Sequence, residues 1–148
     1  MYIDKFPVWF GRFCSLFISF KLINKYNFWK DKFYNEIMKH AFQHFGTKSI
    51  ICSYAKIVCG RKIVIGDNVG IGRYGVIEAY GPGETLITIS DGCCLGDMNH
   101  LTAYTGIYLG KNVLTGRRVT ISDNGHGTFD KSSLDTAPLK RTVYSKGG

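Results

Sequence analysis

The segments IGDNVGIGRYGVI (residues 65–77) and ISDGCCLGDMNHL (residues 89–101) place an aliphatic residue at nearly every sixth position. Counted outward from them, the step of six runs from Ser53 to Asn124, with two extra residues between Leu101 and Leu109. The twelve units begin at Ser53, Cys59, Ile65, Ile71, Ile77, Gly83, Ile89, Leu95, Leu101, Leu109, Thr115 and Ile121. A hexapeptide period is typical of a parallel β-helix. Since three strands and three turns make one triangular coil, twelve units predict four coils.

The residue types within a unit fit such a coil. We expect the first and fifth positions to point into the prism, which makes Cys59 and Cys93 small core residues. Glycine is frequent at the second position, where we expect a corner with φ > 0. Asp67-Asn68 occupies the third and fourth positions of its unit and suits the same tight corner. A β-sandwich would also alternate apolar residues, but it does not hold a six-residue step.

Composition limits the classes of function. The chain has 148 residues and a net charge of +8, and this charge is divided between residues 1–45 and the remainder. No nucleic-acid-binding motif or continuous basic stripe occurs, so we expect no nucleic-acid partner. The five cysteines form no C-x-x-C pair, so we expect no metal and a reducing compartment. With no cleavable signal recognisable, the sequence predicts a cytoplasmic protein.

Residues 1–46 lack the hexapeptide pattern and are dense in aromatic residues. We predict two helices, approximately Val8–Ile23 and Phe28–Phe45, with a break near Asn27. One interpretation is a cap over the first coil, since an open solenoid end exposes its core and strand edges. The other is an amphipathic segment at the inner membrane face. The cap is favoured for residues 28–45, and both interpretations stay open for residues 5–23.

The regular units, which we assign to residues 47–124, give way to the polar loop SDNGHGTFD at residues 122–130. A histidine between two glycines is suited to chemistry, because His126 can act as a general base near neutral pH. The glycines leave space for a substrate, and Asp123 or a backbone carbonyl could hold the second ring nitrogen. A loop histidine is also commonly just solvated.

The hexapeptides, followed by ISDNGHGTFD and then APLKRTVYSKGG, resemble the left-handed β-helix acyltransferases. More narrowly, they are similar to the O-acetyltransferases that modify sugars of bacterial capsule, lipopolysaccharide or exopolysaccharide. That family carries S-D-x-x-H after a coil, a loop with Pro and Arg, and then S-K-G. The matching residues, in order, are Ser122, Asp123, His126, Pro138, Arg141, Ser145, Lys146 and Gly147.

This resemblance implies an all-β solenoid, a left-handed parallel β-helix with an N-terminal helical extension. It implies a homotrimer with active sites between prisms, acetyl-CoA as donor, a sugar or glycan acceptor, and His126 as the general base. Residues 125–148 would form an active-site loop leading to further coils of the family pattern. We therefore expect a fragment of a longer protein, or a truncated product with weak or no activity.

Further site residues follow from the same resemblance. Asn99 stands at a fifth position that is otherwise apolar or small; it is either a buried amide bonded to the adjacent coil or an acceptor contact. His100 would face the same cleft or lie at a corner in solvent. Asp123 and Asn124 are further candidate acceptor contacts. The cofactor-binding residues along the pantetheine arm of the donor would be Ser145, Lys146 and Gly147.

Other functions use similar prisms. A γ-type carbonic anhydrase needs two closely spaced histidines on one strand, whereas His100 and His126 are far apart in sequence. A non-catalytic trimeric scaffold would neither bind coenzyme A nor depend on His126. Relatives that acetylate serine or xenobiotics share the fold, and no residue identifies the acceptor.

Overall fold

The computed structural model describes residues 5–127 and 135–145. Two helices come first, α1 (Lys5–Ser15) and α2 (Phe20–Met38), and a single 3₁₀ turn at Lys39–Ala41 leads into the strands. The first two coils contain β1 (His44–Phe45), β2 (Ile50–Ile51), β3 (Lys56–Val58), β4 (Ile63–Ile65), β5 (Gly70–Ile71) and β6 (Val76–Ala79). The next two contain β7 (Ile87–Ile89), β8 (Cys94–Leu95), β9 (His100–Ala103), β10 (Ile107–Leu109), β11 (Leu114–Thr115) and β12 (Thr120–Ser122). A ribbon follows, formed by β13 (Asn124–His126) and β14 (Val143–Ser145).

The twelve strands wind into a left-handed parallel β-helix, which confirms the fold class predicted from the sequence. Every third strand stacks on the same face, so the three sheets have the orders β1-β4-β7-β10, β2-β5-β8-β11 and β3-β6-β9-β12. All pairs within these sheets are parallel. We call these sheets the first, second and third faces of the prism.

Aliphatic columns fill the prism, because the inward residues of successive coils stand in register. One column on the third face pairs Ile57 with Ile77, Ile77 with Leu101, and Leu101 with Ile121. The side chains of Ile51, Ile63, Ile65, Ile77, Ile87 and Ile89 are almost completely buried. Burying such a side chain contributes about 1.5–3 kcal/mol, so these columns hold the coils together.

The coils begin earlier along the chain than the repeat predicted. In addition, two of the predicted units begin at an edge of the prism rather than on one of its faces. The first strand starts at His44. The first positions of the three units of coil 1 are held by the inward residues Phe45, Ile51 and Ile57. The segments that begin at Cys59 and at Gly83 lie at the edge between the third and first faces. That edge is formed by residues 59–62, 80–86 and 104–106, and it carries every departure from the six-residue step. The prediction that Cys59 points inward is therefore wrong, whereas Cys93 is buried.

Glycine at the second position has a different cause from the one predicted. Among the described glycines only Gly92 and Gly127 have positive φ, so the prediction of φ > 0 at this position is wrong. Most of the left-handed residues lie instead at the fourth position, among them Asn68 and Asn112; Cys59, at the edge between the third and first faces, is an exception. A Cβ at Gly66 would lie 2.7 Å from the backbone nitrogen of Asp91 on the next coil. Close stacking of coils therefore requires glycine at Gly66, Gly72 and Gly96, where an added Cβ would lie less than 3.0 Å from backbone atoms of the next coil.

The helices also differ from the prediction. The break falls at residues 16–19 rather than at Asn27, because the Ser19 hydroxyl accepts a hydrogen bond from the Leu22 backbone nitrogen (3.3 Å) and begins α2 there. Among residues 5–127 and 135–145, no helix is long and apolar enough to cross a membrane.

Helix α2 packs against β2, the strand at the outer edge of the second face. Two buried polar side chains of the helix replace the missing neighbouring strand. Asn35 accepts a hydrogen bond from the backbone nitrogen of Ile51 (2.8 Å), and Asp31 accepts one from that of Ser53 (3.0 Å). Asp31 also pairs with Arg73. The edge of the first coil is therefore satisfied by side chains.

Candidate functional site

His126 lies on a ribbon that leaves the prism directly after the last strand of the third face. In this ribbon β13 and β14 are antiparallel, and His126 lies opposite Val143. Its side chain is exposed. Because alternate residues of a strand share a side, His126 points to the same side of the ribbon as Asn124.

The two glycines beside His126 differ in what surrounds them. No described atom lies within 4 Å of the position where Gly125 would carry a Cβ. Gly127 has φ +77°, and a Cβ there would lie 2.7 Å from Cδ of Arg141. Because of this positive φ and this close contact, only glycine fits readily at position 127. Among the described residues the space beside Gly125 is therefore open, and Gly127 lies against Arg141, which precedes β14.

Asp123 holds the corner between the third and first faces. One carboxylate oxygen accepts a hydrogen bond from the backbone nitrogen of Tyr104 (2.8 Å), and the other accepts from Thr105 (2.7 Å) and Gly106 (2.6 Å). Partial burial alone would raise the pKa of Asp123, but these backbone donors outweigh it and the pKa lies below its usual value. The structure thus gives Asp123 a structural contact at the base of the ribbon.

Asn124 ties the ribbon to the third face. Its amide nitrogen donates to the backbone oxygen of Thr102 (2.9 Å) and to Asp123 (3.0 Å). The Ser122 hydroxyl in turn donates to the backbone oxygen of Asn124 (3.0 Å). These bonds orient the strand that carries His126. A role of Asn124 or Asp123 as an acceptor contact stays a prediction.

Asn99 is buried inside the prism at 3% exposure. Its carbonyl oxygen accepts a hydrogen bond from the backbone nitrogen of Val119 on the next coil (2.7 Å), and its amide nitrogen donates to the hydroxyl of Thr115. This is the environment of the first interpretation, a buried amide bonded to the adjacent coil. The acceptor contact stays a prediction.

His100 lies on the outside of the third face within a cluster of titratable side chains. Its Nε2 is 3.2 Å from a carboxylate oxygen of Glu78, which is almost fully buried, and the other Glu78 oxygen accepts from Lys56 (2.9 Å). Burial alone would raise the pKa of Glu78, but the bonds from Lys56 and His100 lower it below its usual value. A carboxylate thereby orients one nitrogen of His100. Sequence reasoning missed Glu78 and Lys56, because strands distant in sequence bring them together.

The predicted cofactor-binding residues are only partly placed. Ser145 lies in β14, opposite Asn124 and therefore at the base of the His126 ribbon. Lys146 and Gly147 fall outside the described residues. Within the described parts of the chain, no group of three or more His, Cys, Asp or Glu side chains could hold a metal ion.

No protein-family model matches the chain, and no curated protein matches it. Among solved structures, it is similar to the crystal structure of a mutant of AntD, an N-acyltransferase from Bacillus cereus, in complex with dTDP and coenzyme A. The TM-score is 0.56 at 18% identity, and the match covers 74% of this chain and 57% of the AntD chain. The chain thus spans less than two thirds of the length of that structure. At this identity the likeness shows the fold, a β-solenoid that an acyltransferase also uses.

Proposed function

We propose that this chain is an acyltransferase that moves an acetyl group from acetyl-CoA to a hydroxyl of a sugar or polysaccharide. His126 is the general base in this proposal: it takes the proton of the acceptor hydroxyl, whose oxygen attacks the thioester carbonyl, and the coenzyme A thiolate leaves. The observation that carries the proposal is the exposed His126 on a ribbon that the third face holds in place.

Two further features support the chemistry. The imidazole of His126 is exposed, and no described atom lies within 4 Å of the Cβ position of Gly125 on the other side of the strand, so the strand is uncrowded around the proposed base. The structural neighbour that shares the fold is an N-acyltransferase in complex with coenzyme A, which makes an acyl-CoA thioester the natural donor to test. Along this donor we assign the pantetheine arm to the S-K-G segment that begins at Ser145.

In this proposal the acceptor binds at the outer surface of the third face. Asn124 reaches Thr102 on that face, and His126 lies on the same side of the ribbon. His100 is oriented by Glu78 of the preceding coil, and it is exposed enough on this face to form a hydrogen bond with an acceptor hydroxyl. We further propose a cytoplasmic homotrimer in which the neighbouring prism closes the cleft, with residues 5–23 contacting the inner membrane face.

The decisive experiment replaces His126 by alanine and measures acetyl transfer from acetyl-CoA to a panel of sugars. We expect the rate to fall about 10²–10⁴-fold, as it does when a general base is removed. His44→Ala is the matched control, because His44 is also exposed but lies on the first coil at the other end of the prism. Unchanged transfer by His126→Ala would exclude His126 as the base.

A further inference from the structure

Helix α2 carries an apolar stripe on the side that faces away from the prism, in addition to the residues that pack against the core. The side that faces the prism carries the buried polar residues Asp31 and Asn35, together with Tyr34 and Met38, which pack against the core. Residues 22, 26, 29, 33 and 37 lie on the opposite side, because their spacing of three and four keeps them within one stripe of a 3.6-residue helix. This outward stripe consists of Leu22, Tyr26, Trp29, Phe33 and Ile37.

The outward stripe is exposed along its whole length. Trp29 is 61% exposed and Phe33 is 72% exposed, and the other three members are more than half exposed. A surface helix of a globular protein normally turns its apolar stripe toward the core. Here the inward side is already occupied by the contacts of Asp31 and Asn35 and by the packing of Tyr34 and Met38, so the outward stripe is a second apolar surface that is available to a partner.

Basic side chains border the outward stripe. Lys21, Lys25 and Lys32 recur at spacings of four and seven and line one edge of it, by the same helical geometry. Residues 5–39 contain seven Lys and Arg but only two acids. Of these acids, Asp31 is paired with Arg73 and Glu36 is paired with Lys39. The surface around the stripe therefore carries a net positive charge.

Helix α1 and the turn that follows it add a second exposed aromatic row. Trp9 and Phe13 stack with ring centroids 6.0 Å apart, and Phe13 meets Phe17 at 5.4 Å. All three rings are about half exposed or more. The row continues the apolar character of α2 toward the start of the chain.

We infer that the outward stripe of α2 binds the surface of a bilayer that contains anionic lipids. Aromatic and aliphatic residues on one side with lysine along its edge are the composition of a helix that lies in the interface plane. Lysines near the surface are attracted to anionic headgroups. A second copy of the chain would bring two positively charged surfaces together, so charge complementarity favours the lipid. The cap contacts then fix the prism to the membrane.

The test measures co-sedimentation with phosphatidylcholine vesicles that contain or lack phosphatidylglycerol. We expect binding to the anionic vesicles, a loss of about 100-fold or more in the double variant Trp29→Ser/Phe33→Ser, and a loss of at least about tenfold in Lys25→Gln/Lys32→Gln. Higher salt should weaken binding by the native chain.

Tyr108→Ser/Leu114→Ser is the matched control, because these residues are 72% and 78% exposed but lie on the fourth coil. The control should bind vesicles like the native chain. Thermal unfolding of all variants confirms that each is folded, and sedimentation velocity gives their oligomeric states. Equal binding by Trp29→Ser/Phe33→Ser and the native chain would overturn the inference. So would a change in oligomeric state confined to that double variant, since the stripe would then contact a second copy.

Discussion

Gly66 and Gly110 occupy the same hexapeptide position two coils apart, yet their surroundings differ. At Gly66 an added Cβ would meet the backbone of the next coil, whereas at Gly110 no described atom lies within 4 Å of it. Neither residue has a positive φ. The sequence shows the glycines but not this difference, because the difference depends on stacking: Gly66 is covered by the third coil, whereas Gly110 lies on the fourth coil, the last one among the described residues.

This pair gives a prediction at the residue scale. Gly66→Ala should lower the free energy of unfolding by about 1–3 kcal/mol, since the backbone must shift to admit a methyl group. Gly110→Ala is the control and should leave stability unchanged or raise it slightly, because alanine restricts the unfolded chain. Urea unfolding measures both. Equal losses in the two variants would contradict the stacking explanation.

At the scale of the element, α2 shows where sequence patterns are ambiguous. Apolar residues at spacings of three and four predict a helix, and the helix is present. The same pattern suggests that one apolar side faces the core, but here Tyr34 and Met38 share the inward side with the buried Asp31 and Asn35, while other apolar residues face outward. A helix that covers a strand edge needs acceptors for backbone N–H groups, and Asp31 and Asn35 supply them. The sequence pattern identified the helix and the core contacts of Tyr34 and Met38, but not the buried polar pair between them.

Asp31 makes this cap dependent on pH. Burial alone would raise the pKa of Asp31, but hydrogen bonds from Ser53 and Arg73 outweigh it, so the folded pKa lies below the usual value of about 3.9. Stabilisation by the carboxylate is therefore complete above that value and is lost as the pH falls through the folded pKa.

We expect Asp31→Asn to lower the free energy of unfolding at pH 7 by about 1.5–3 kcal/mol, the contribution of a hydrogen bond to a charged group. The difference from the native chain should shrink as the pH falls from 5 to 3, and denaturant unfolding at several pH values measures it. Glu36→Gln is the control on the same helix; because Glu36 is exposed, its ion pair with Lys39 should matter little. A difference independent of pH would show that the charge of Asp31 does not stabilise the cap.

At the scale of the whole molecule, the period of six was sufficient to predict a parallel β-helix, whereas its left-handed winding was expected from the family resemblance. The same period mislocated coil 1, because the two extra residues at 59–62 resemble the start of another unit. His126 and its glycines were visible as a break in the repeat. The cluster of Glu78, Lys56 and His100 was not, since a solenoid brings residues more than 20 positions apart into contact.

The proposed donor gives a prediction for the whole molecule. Acetyl-CoA at about 100 times its dissociation constant should stabilise the folded chain by about 2.7 kcal/mol. A domain of this size should then melt several degrees higher, which differential scanning fluorimetry measures. Desulfo-coenzyme A without an acyl group is a useful comparison, and adenosine alone should give a smaller shift. No shift with acetyl-CoA would favour a scaffold over an enzyme.

At the edge between the third and first faces, the number of residues differs from coil to coil. This difference indicates where the length of the chain can change. The other two edges keep six residues per side in every coil, so strand register there tolerates no change in length. Additions of two or six residues occur only along the one edge, at 59–62, 80–86 and 104–106, and the stacked columns stay aligned across them. The His126 ribbon leaves the prism from this edge. Loops can therefore be inserted beside the candidate site without changing the rest of the β-helix.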